Sequence, residues 1–467
     1  MTSTATRQAG PVSQPAPPGP DAERDQGRSG LGWLLALPRN AVRRLVRSAG
    51  NTPGRLSVIA LGLVVLALLT ALVGTFAVQG KQDTIDGLVD HREPLAAAAQ
   101  QVYRSLSDAD ATSASAFLST GSEPAELRDR YEVDIAQAGA ALAKAASDSE
   151  GAESSERVDT LSRQIPVYTG LIETARANNR QGFPAGASYL REASELMRSQ
   201  ILPAAQDLYR IDTERLSQEQ DDATSFPFFT TLLVLGLLAA LIATQIYLRR
   251  KTNRVINVGL MVASIATGVA ILWSGTALTV QTVLVGNGAT EGTERADVLV
   301  RARIAALQAR ADETLTLVAR GDGGRYEKDF VALGQTLAGP DGNGGLLREA
   351  RDGAQPEMTR FSDAATADAR AWFAAHTEVR ALDDSGDYQG AVSLAIDGAR
   401  QDGTATAFYR LDGNLAQGIG VTRQAFLDDT VGSSRALTLL APGFAVLMVV
   451  AALGVTLGIR ERLREYR

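Results

Sequence analysis

Three features of the 467-residue sequence predict an all-α integral membrane protein with four transmembrane helices and two tandemly duplicated extracytoplasmic four-helix bundles. First, four apolar runs, at about 56–78, 228–248, 255–280 and 436–459, contain no charged residue. Each is long enough to cross a bilayer, which takes ~20 residues as a helix. Second, the two long stretches between runs one and two and between runs three and four carry hydrophobic residues at steps of three and four, the period of a packed helix. Third, those two stretches match each other at corresponding places.

Charge is sorted along the chain. Residues 80–227 carry 14 Lys/Arg against 25 Asp/Glu, and residues 287–434 carry 15 against 23. Their nets of −11 and −8 combine with +12 elsewhere to give the formal −7 of the whole chain. Two acidic segments exclude a nucleic-acid partner, which requires basic patches. With no cysteine and only two histidines, His91 and His376, the sequence excludes thiol chemistry and leaves almost nothing for a metal or a catalytic triad. No phosphate-binding glycine loop or catalytic motif occurs. The expectation is a protein with no catalytic residues, no metal and no cofactor.

Basic residues flank the apolar runs on one side. Arg39, Arg43, Arg44, Arg47 and Arg55 precede the first, and Arg460, Arg462, Arg464 and Arg467 follow the last. Arg249, Arg250, Lys251 and Arg254 fill the loop between the middle two. If all four runs span, these groups share a side, and the positive-inside rule makes that side cytoplasmic. The expected order is a disordered tail (1–30), a basic and amphipathic juxtamembrane segment (31–55), a first span (56–79) and a first outer bundle (80–227). A second span (228–248), a cytoplasmic loop (249–254) and a third span (255–286) follow. A second outer bundle (287–434), a fourth span (435–459) and a short tail (460–467) complete it. The first run lacks a cleavage site and reads as an uncleaved anchor in a bacterial plasma membrane.

Within 80–227, the series Ile85, Leu88, Arg92, Leu95, Ala99, Val102, Leu106, Ala109, Ser113, Ala116 predicts one long helix. Leu127 to Leu142, Val158 to Ala175 and Ala187 to Ile211 predict three more, and short loops make the set an up-down-up-down bundle. The first and last of these helices are expected to run directly into spans one and two. Pro166 and Pro203 predict kinks. In 287–434 a single helix is expected from Leu347 to Leu382. Arg130-Tyr131-Glu132-Val133-Asp134 answers Arg325-Tyr326-Glu327-Lys328-Asp329, and Tyr209-Arg210-Ile211-Asp212 answers Tyr409-Arg410-Leu411-Asp412. A repeat of about 200 residues explains both.

The repeat picks out a candidate polar site between helices. Asp108, Asp110, Arg130, Tyr131 and Asp134 fall near the first helix–helix turn, with Asp110 and Arg130 equally far from it. Asp312, Arg325, Tyr326 and Asp329 are the second set, with Asp312 facing Arg325. Such a site suits an amino-acid-like ligand, or it is an ion pair that fixes bundle register. The distal loops are the second candidate: Arg180 and Phe183 in one bundle, and Asp384, Asp387 and Tyr388 in the other. Phe183 and Tyr388 are either exposed anchors for a partner or caps on the core. The third is cytoplasmic output through Arg249, Arg250, Lys251 and Arg254. In the spans, absence of ionisable residues argues against an ion-coupled transporter. The small-residue pairs Ser264/Gly268 and Gly454/Gly458 predict close helix contacts.

The stretch His91-Arg92-Glu93-Pro94-Leu95, followed by Tyr103-Arg104-Ser105-Leu106-Ser107-Asp108-Ala109-Asp110-Ala111-Thr112, resembles actinobacterial GlnX-type membrane proteins. The outer bundles resemble the sensor bundles of chemoreceptors. The resemblance implies a membrane link between an extracytoplasmic amino-acid-binding lipoprotein (GlnH-type) and a cytoplasmic Ser/Thr protein kinase (kinase G type). It transfers no site residue. A non-enzymatic signalling adaptor is therefore the expectation. Direct ligand sensing within the bundles and a permease-associated subunit are the alternatives, and a homodimer stays open.

Overall fold

The computed structural model of the protein describes residues 52–119, 123–147, 151–252 and 257–464. The tail 1–30, most of the juxtamembrane segment 31–55, the tip residues 120–122 and Arg254 lie outside the described residues. Contacts divide the chain into two units. One is Met1–Gly62 with Ile459–Arg467, whose described parts are helix ends. The other, Leu63–Gly458, holds the features described below.

All regular structure among the described residues is helical. The elements are α1 (Thr52–Gly87), α2 (Glu93–Leu118), α3 (Ala125–Ser147), α4 (Ala152–Arg180), α5 (Ala185–Leu196), α6 (Leu202–Thr224) and α7 (Phe228–Thr252). They continue with α8 (Val258–Asn287), α9 (Arg295–Val318), α10 (Gly324–Ala338), α11 (Gly345–Arg351), α12 (Pro356–Asp384), α13 (Tyr388–Ile396), α14 (Thr404–Leu437) and α15 (Leu440–Arg464). Four helical runs are long and apolar enough to cross a membrane: Gly54–Leu118, Ala185–Arg250, Val258–Val318 and Thr404–Glu461. Their apolar parts coincide with the four charge-free runs of the sequence. Residues 80–227 and 287–434, called segments one and two below, lie between them.

Three wide π-helical turns interrupt the long runs: Leu88–Arg92, Met197–Ile201 and Gly288–Glu294. Two of them sit immediately before a proline, Pro94 or Pro203, in the first turn of the next helix. A proline has no N–H and its ring crowds the carbonyl four residues back; an inserted residue opens the turn and relieves both. Pro203 thus opens α6 directly after a π-helical turn. Pro166 lies inside α4, which continues through it as one element. The third turn has a different cause. At Gly292 a Cβ would stand 3.0 Å from the Cα of Phe426, so only glycine lets α14 approach there.

Two sequence expectations about continuity are corrected. The run into span one is helical throughout, but α6 ends at Thr224 and α7 starts only at Phe228. Pro227 supplies no amide hydrogen to α6, and the residue before a proline avoids helical backbone. The single helix expected from Leu347 to Leu382 is two, α11 and α12. Gly353 takes φ 71°, and Pro356 opens α12. The apolar period carries across the gap because Leu347 and Met358 both enter the core.

Helices α2 and α9 pack against each other, and each also packs on helices of its own segment: α2 on α3 and α6, α9 on α10 and α14. One hydrophobic cluster runs through both segments, from Val102 and Leu208 to Trp372 and Phe408. A helix covered on all sides cannot carry large residues everywhere. From Ser107 to Ala116 every residue is Ala, Ser, Thr or Asp, and from Ser105 to Ala116 every residue is buried.

Between the apolar helices, a Cβ on Gly454 would stand 2.6 Å from the Gly259 carbonyl oxygen, so α8 and α15 approach backbone to backbone. Asn257 Nδ2 donates to the Gly458 carbonyl at 2.9 Å. Gly268 makes no such approach, and Ser264 instead accepts a hydrogen bond from Gln245 at 2.8 Å. We therefore expect Gly454→Leu to lower stability by about 1–3 kcal/mol, the usual cost of overpacking. Gly268→Leu, which enters open space, should leave it nearly unchanged. Thermal unfolding of the two variants in one detergent checks the contrast.

Candidate functional site

Charged side chains in the two central helices must find partners, because an unpaired ion in an apolar core is costly. Asp108, on α2, accepts both of its hydrogen bonds from Arg130 of α3, each 2.9 Å long. This replaces the expected Asp110–Arg130 pair. The helix period accounts for the change: Asp108 and Asp110 are two residues apart and point to different sides. The Arg130 guanidinium also lies over the ring of Tyr409, 4.8 Å from its centre, and so joins segment one to segment two.

Asp110 turns the other way, into segment one. It accepts from Ser194 at 2.9 Å and from Tyr168 at 3.3 Å. Burial pushes its carboxyl upward, against the pull of Arg198 and these two donors. Asp134 lies close to Asp108; burial first, and then the Asp108 charge, raise it to about 7. Tyr131 is buried beneath Arg176, whose guanidinium is 4.2 Å from the ring centre. Arg176 in turn forms an ion pair with Glu123, at the tip of segment one, with 3.1 Å between them.

The second set does not repeat the first. Asp312 is paired with Arg198, which comes from the π-helical turn of segment one, and not with Arg325. Arg325 is exposed, 3.4 Å from Glu195 and 3.9 Å from Asp329. Tyr326 lies under Arg198, 5.4 Å from ring centre to guanidinium. Burial raises Asp312 to about 7 despite Arg198 beside it. Arg325 sits one residue into α10, whereas Arg130 sits five residues into α3, and segment one supplies the cation for Asp312.

Further bonds cross between the segments. Tyr209 donates to Asp297 at 3.0 Å, Gln308 to Tyr103 at 3.1 Å and Gln220 to Thr293 at 2.9 Å. Arg423 pairs with Glu93, and Ser434 donates to Asp86 at 2.7 Å. Arg303 and Asp412 form a two-pronged pair within segment two, 2.6 and 2.9 Å. These bonds tie the two segments together, while the buried Asp134 carboxylate keeps one oxygen without a hydrogen-bond partner.

A charged cluster in segment two was not foreseen from sequence. Glu313, fully enclosed, pairs with Arg310, accepts from Trp372 at 3.2 Å and faces His376 Nδ1 at 3.0 Å. His376 Nε2 meets Glu327 at 3.1 Å. Burial alone would lower the imidazole pKa, but the bonds to Glu313 and Glu327 outweigh it and hold the ring at about 9. Burial would raise Glu313, and Arg310 and His376 together bring it below its ordinary value. The signal in the sequence was Arg310 and Glu313, three residues apart in an Ala- and Leu-rich helix.

At the loop ends, Phe183 is 54% exposed and Arg180 is exposed beside it. Tyr388 is half-buried; its hydroxyl donates to the Leu317 carbonyl at 3.2 Å and its ring packs under Arg320. Of the two aromatic candidates, then, Phe183 alone is an open side chain, and Tyr388 caps the end of α9. Asp384 is bonded to Arg380 at 2.8 Å, and Asp387 caps α13 through the Gly390 amide at 2.9 Å. Arg249 and Arg250 are exposed near the end of α7, which also includes Lys251.

Residues 84–221 match the family model described as an actinobacterial sensor domain. The matched stretch holds Asp108, Asp110, Arg130 and Phe183 and lies within segment one. No curated protein matches, and no solved structure matches. The described residues thus form a helical protein with four membrane-length apolar helices, and the stretch between the first two is similar to an actinobacterial sensor domain.

Two outcomes follow from these contacts. Arg198→Ala leaves Asp312 enclosed without its cation and should cost about 3–5 kcal/mol, whereas Arg198→Met with Asp312→Leu should recover most of that loss. Denaturant unfolding of the single and double variants decides. His376 has a folded pKa of about 9, above the ordinary 6.5, so its contribution is complete below about pH 6.5 and fades as pH rises through 9. Thermal stability should therefore fall across that window, and His376→Gln should flatten the fall.

Proposed function

We propose that the chain is a non-enzymatic transmembrane signalling protein. In this reading segments one and two stand outside the plasma membrane of a bacterium, and both termini and the 249–254 loop are cytoplasmic. Segment one receives amino-acid availability from a docked solute-binding lipoprotein, and the basic cytoplasmic groups pass the state to a soluble Ser/Thr kinase. The observation that carries the reading is the sensor-domain match over 84–221, inserted between two apolar helices. The placement of Arg249 and Arg250 opposite two acidic segments supports the orientation. The bonded state of Asp108, Arg130, Asp110 and Asp312 favours docking over ligand capture in the core, because a ligand would have to displace partners already in place.

Phe183 and Arg180 are the preferred contact for the lipoprotein, as an exposed aromatic beside a cation. Since the chain has no cysteine, single substitutions report topology directly. An impermeant maleimide should label Arg180→Cys and Ser385→Cys in intact cells and Arg250→Cys only after lysis. Labelling of Arg250→Cys in intact cells overturns the orientation. A photo-crosslinking residue at 183 should capture a solute-binding lipoprotein when amino acid is supplied. Saturable binding of the free amino acid to the full-length chain, without such a protein, would replace the adaptor by a direct receptor.

A further inference from the structure

A cavity of about 380 Å³ lies among α1, α7 and α8, with Phe444 of α15 also on its wall. Its walls are apolar or hydroxylic, from Val78 and Val234 to Leu278, and Lys81 is the one charged residue among them. The volume is in the range of small-molecule sites. Every wall residue except those near Lys81 and the α6–α7 break belongs to the membrane-length apolar stretches, at the ends that lead into segments one and two. Phe226 and Leu235 on its rim are exposed, 54% and 48%. A site with that lining suits hydrocarbon better than water, which would find few partners in it.

We infer that this cavity binds one anionic phospholipid from the leaflet nearest the two segments, with an acyl chain inside and the phosphate on Lys81. The inference depends on the chain spanning a bilayer but on no particular partner or orientation. Three points carry it. Lys81 Nζ uses one donor on the Ala223 carbonyl, at 2.5 Å, which leaves two for a phosphate. The single cation at the mouth of an apolar pocket complements an amphiphile with one negative head. Gly275, on the α8 wall, faces open space: nothing lies within 4 Å of a Cβ built there.

The site also touches the joint between spans and segments. The Ala223 carbonyl that receives Lys81 also accepts from Gln281 Nε2 at 2.9 Å, so one carbonyl at the end of α6 ties α1 and α8. A headgroup drawing on Lys81 acts at that joint.

Native mass spectrometry of the full-length chain, released from micelles holding equal phosphatidylglycerol and phosphatidylcholine, tests this. One lipid should be retained per chain, with phosphatidylglycerol favoured about fivefold, the effect of one basic group near a membrane surface. Lys81→Gln should keep a lipid but lose the preference. Gly275→Leu should lose the retained lipid. Gly236→Leu, which also enters open space but is not on the cavity wall, should behave as the unaltered chain. Ala77→Phe fills the same space from α1 and decides the matter if Gly275→Leu fails to fold. Undiminished retention in the folded cavity-filling variant, or a preference that survives Lys81→Gln, overturns the assignment.

Discussion

The rest of the structure depends on two helices that lie side by side and are enclosed by the others. Because α2 is buried from Ser105 to Ala116 and α9 from Ala309 to Val318, those stretches offer no solvent face on which a charge can be left. Yet they carry Asp108, Asp110, Asp312, Arg310 and Glu313 in their buried parts. Every one of these must be met by a group from a surrounding helix, and that requirement fixes how the surrounding helices are set. Arg130 holds α3 to α2, Ser194 and Tyr168 hold α5 and α4, and Arg198 crosses to α9. His376 holds α12 to α9 in the same way.

Pairs of this kind contribute little net stability compared with apolar residues of equal size, but breaking one is expensive. They therefore act against alternative registers more than they strengthen the chosen one. In the proposed signalling role this has a direct use. A displacement of α5 relative to α2 would disturb Ser194–Asp110 and Arg198–Asp312 together, and would be felt in both segments. Few intermediate positions keep all the charges matched, which is the physical basis for a small number of discrete states. The three π-helical turns lie where the long helices pass between the apolar runs and the packed segments or cross the core, so the same elements are locally over-wide where movement would be transmitted.

The two halves of the chain illustrate how a repeated sequence pattern meets an unrepeated contact. Arg130 and Arg325 occupy matching places in Arg-Tyr-Glu-x-Asp, but one is inserted between Asp108 and Tyr409 and the other is exposed. The equivalent tyrosines Tyr209 and Tyr409 both reach across to the opposite segment, one to Asp297 and one to Arg130. Pairing between segments follows from their packing on each other, and the two faces in contact are not identical. Neither foreseen pair forms: Asp108 takes Arg130 inside segment one, and Asp312 takes Arg198 across the segments.

Periodicity, being local, was fully legible in the sequence. The apolar runs located the four membrane-length helices, and the three–four steps from Ile85 to Ala116 named residues that are nearly all buried. Helix breaks at Pro227 and Pro356 were written in the chain too, but the continuing hydrophobic period concealed them. Partners of the charged residues were not legible, because a carboxylate on a helix says only that it needs a cation and not which helix will bring it. Thus Asp108 took Arg130, Asp312 took Arg198 from the other segment, and the Glu313–His376–Glu327 group had no sequence motif at all. The sequence by itself determined the helical periods, the apolar stretches of membrane-crossing length and the sorting of charge, since these follow from the local order of residues. The tertiary structure alone decided which charges meet and that the segments share one core, since both depend on contacts between residues far apart in the chain.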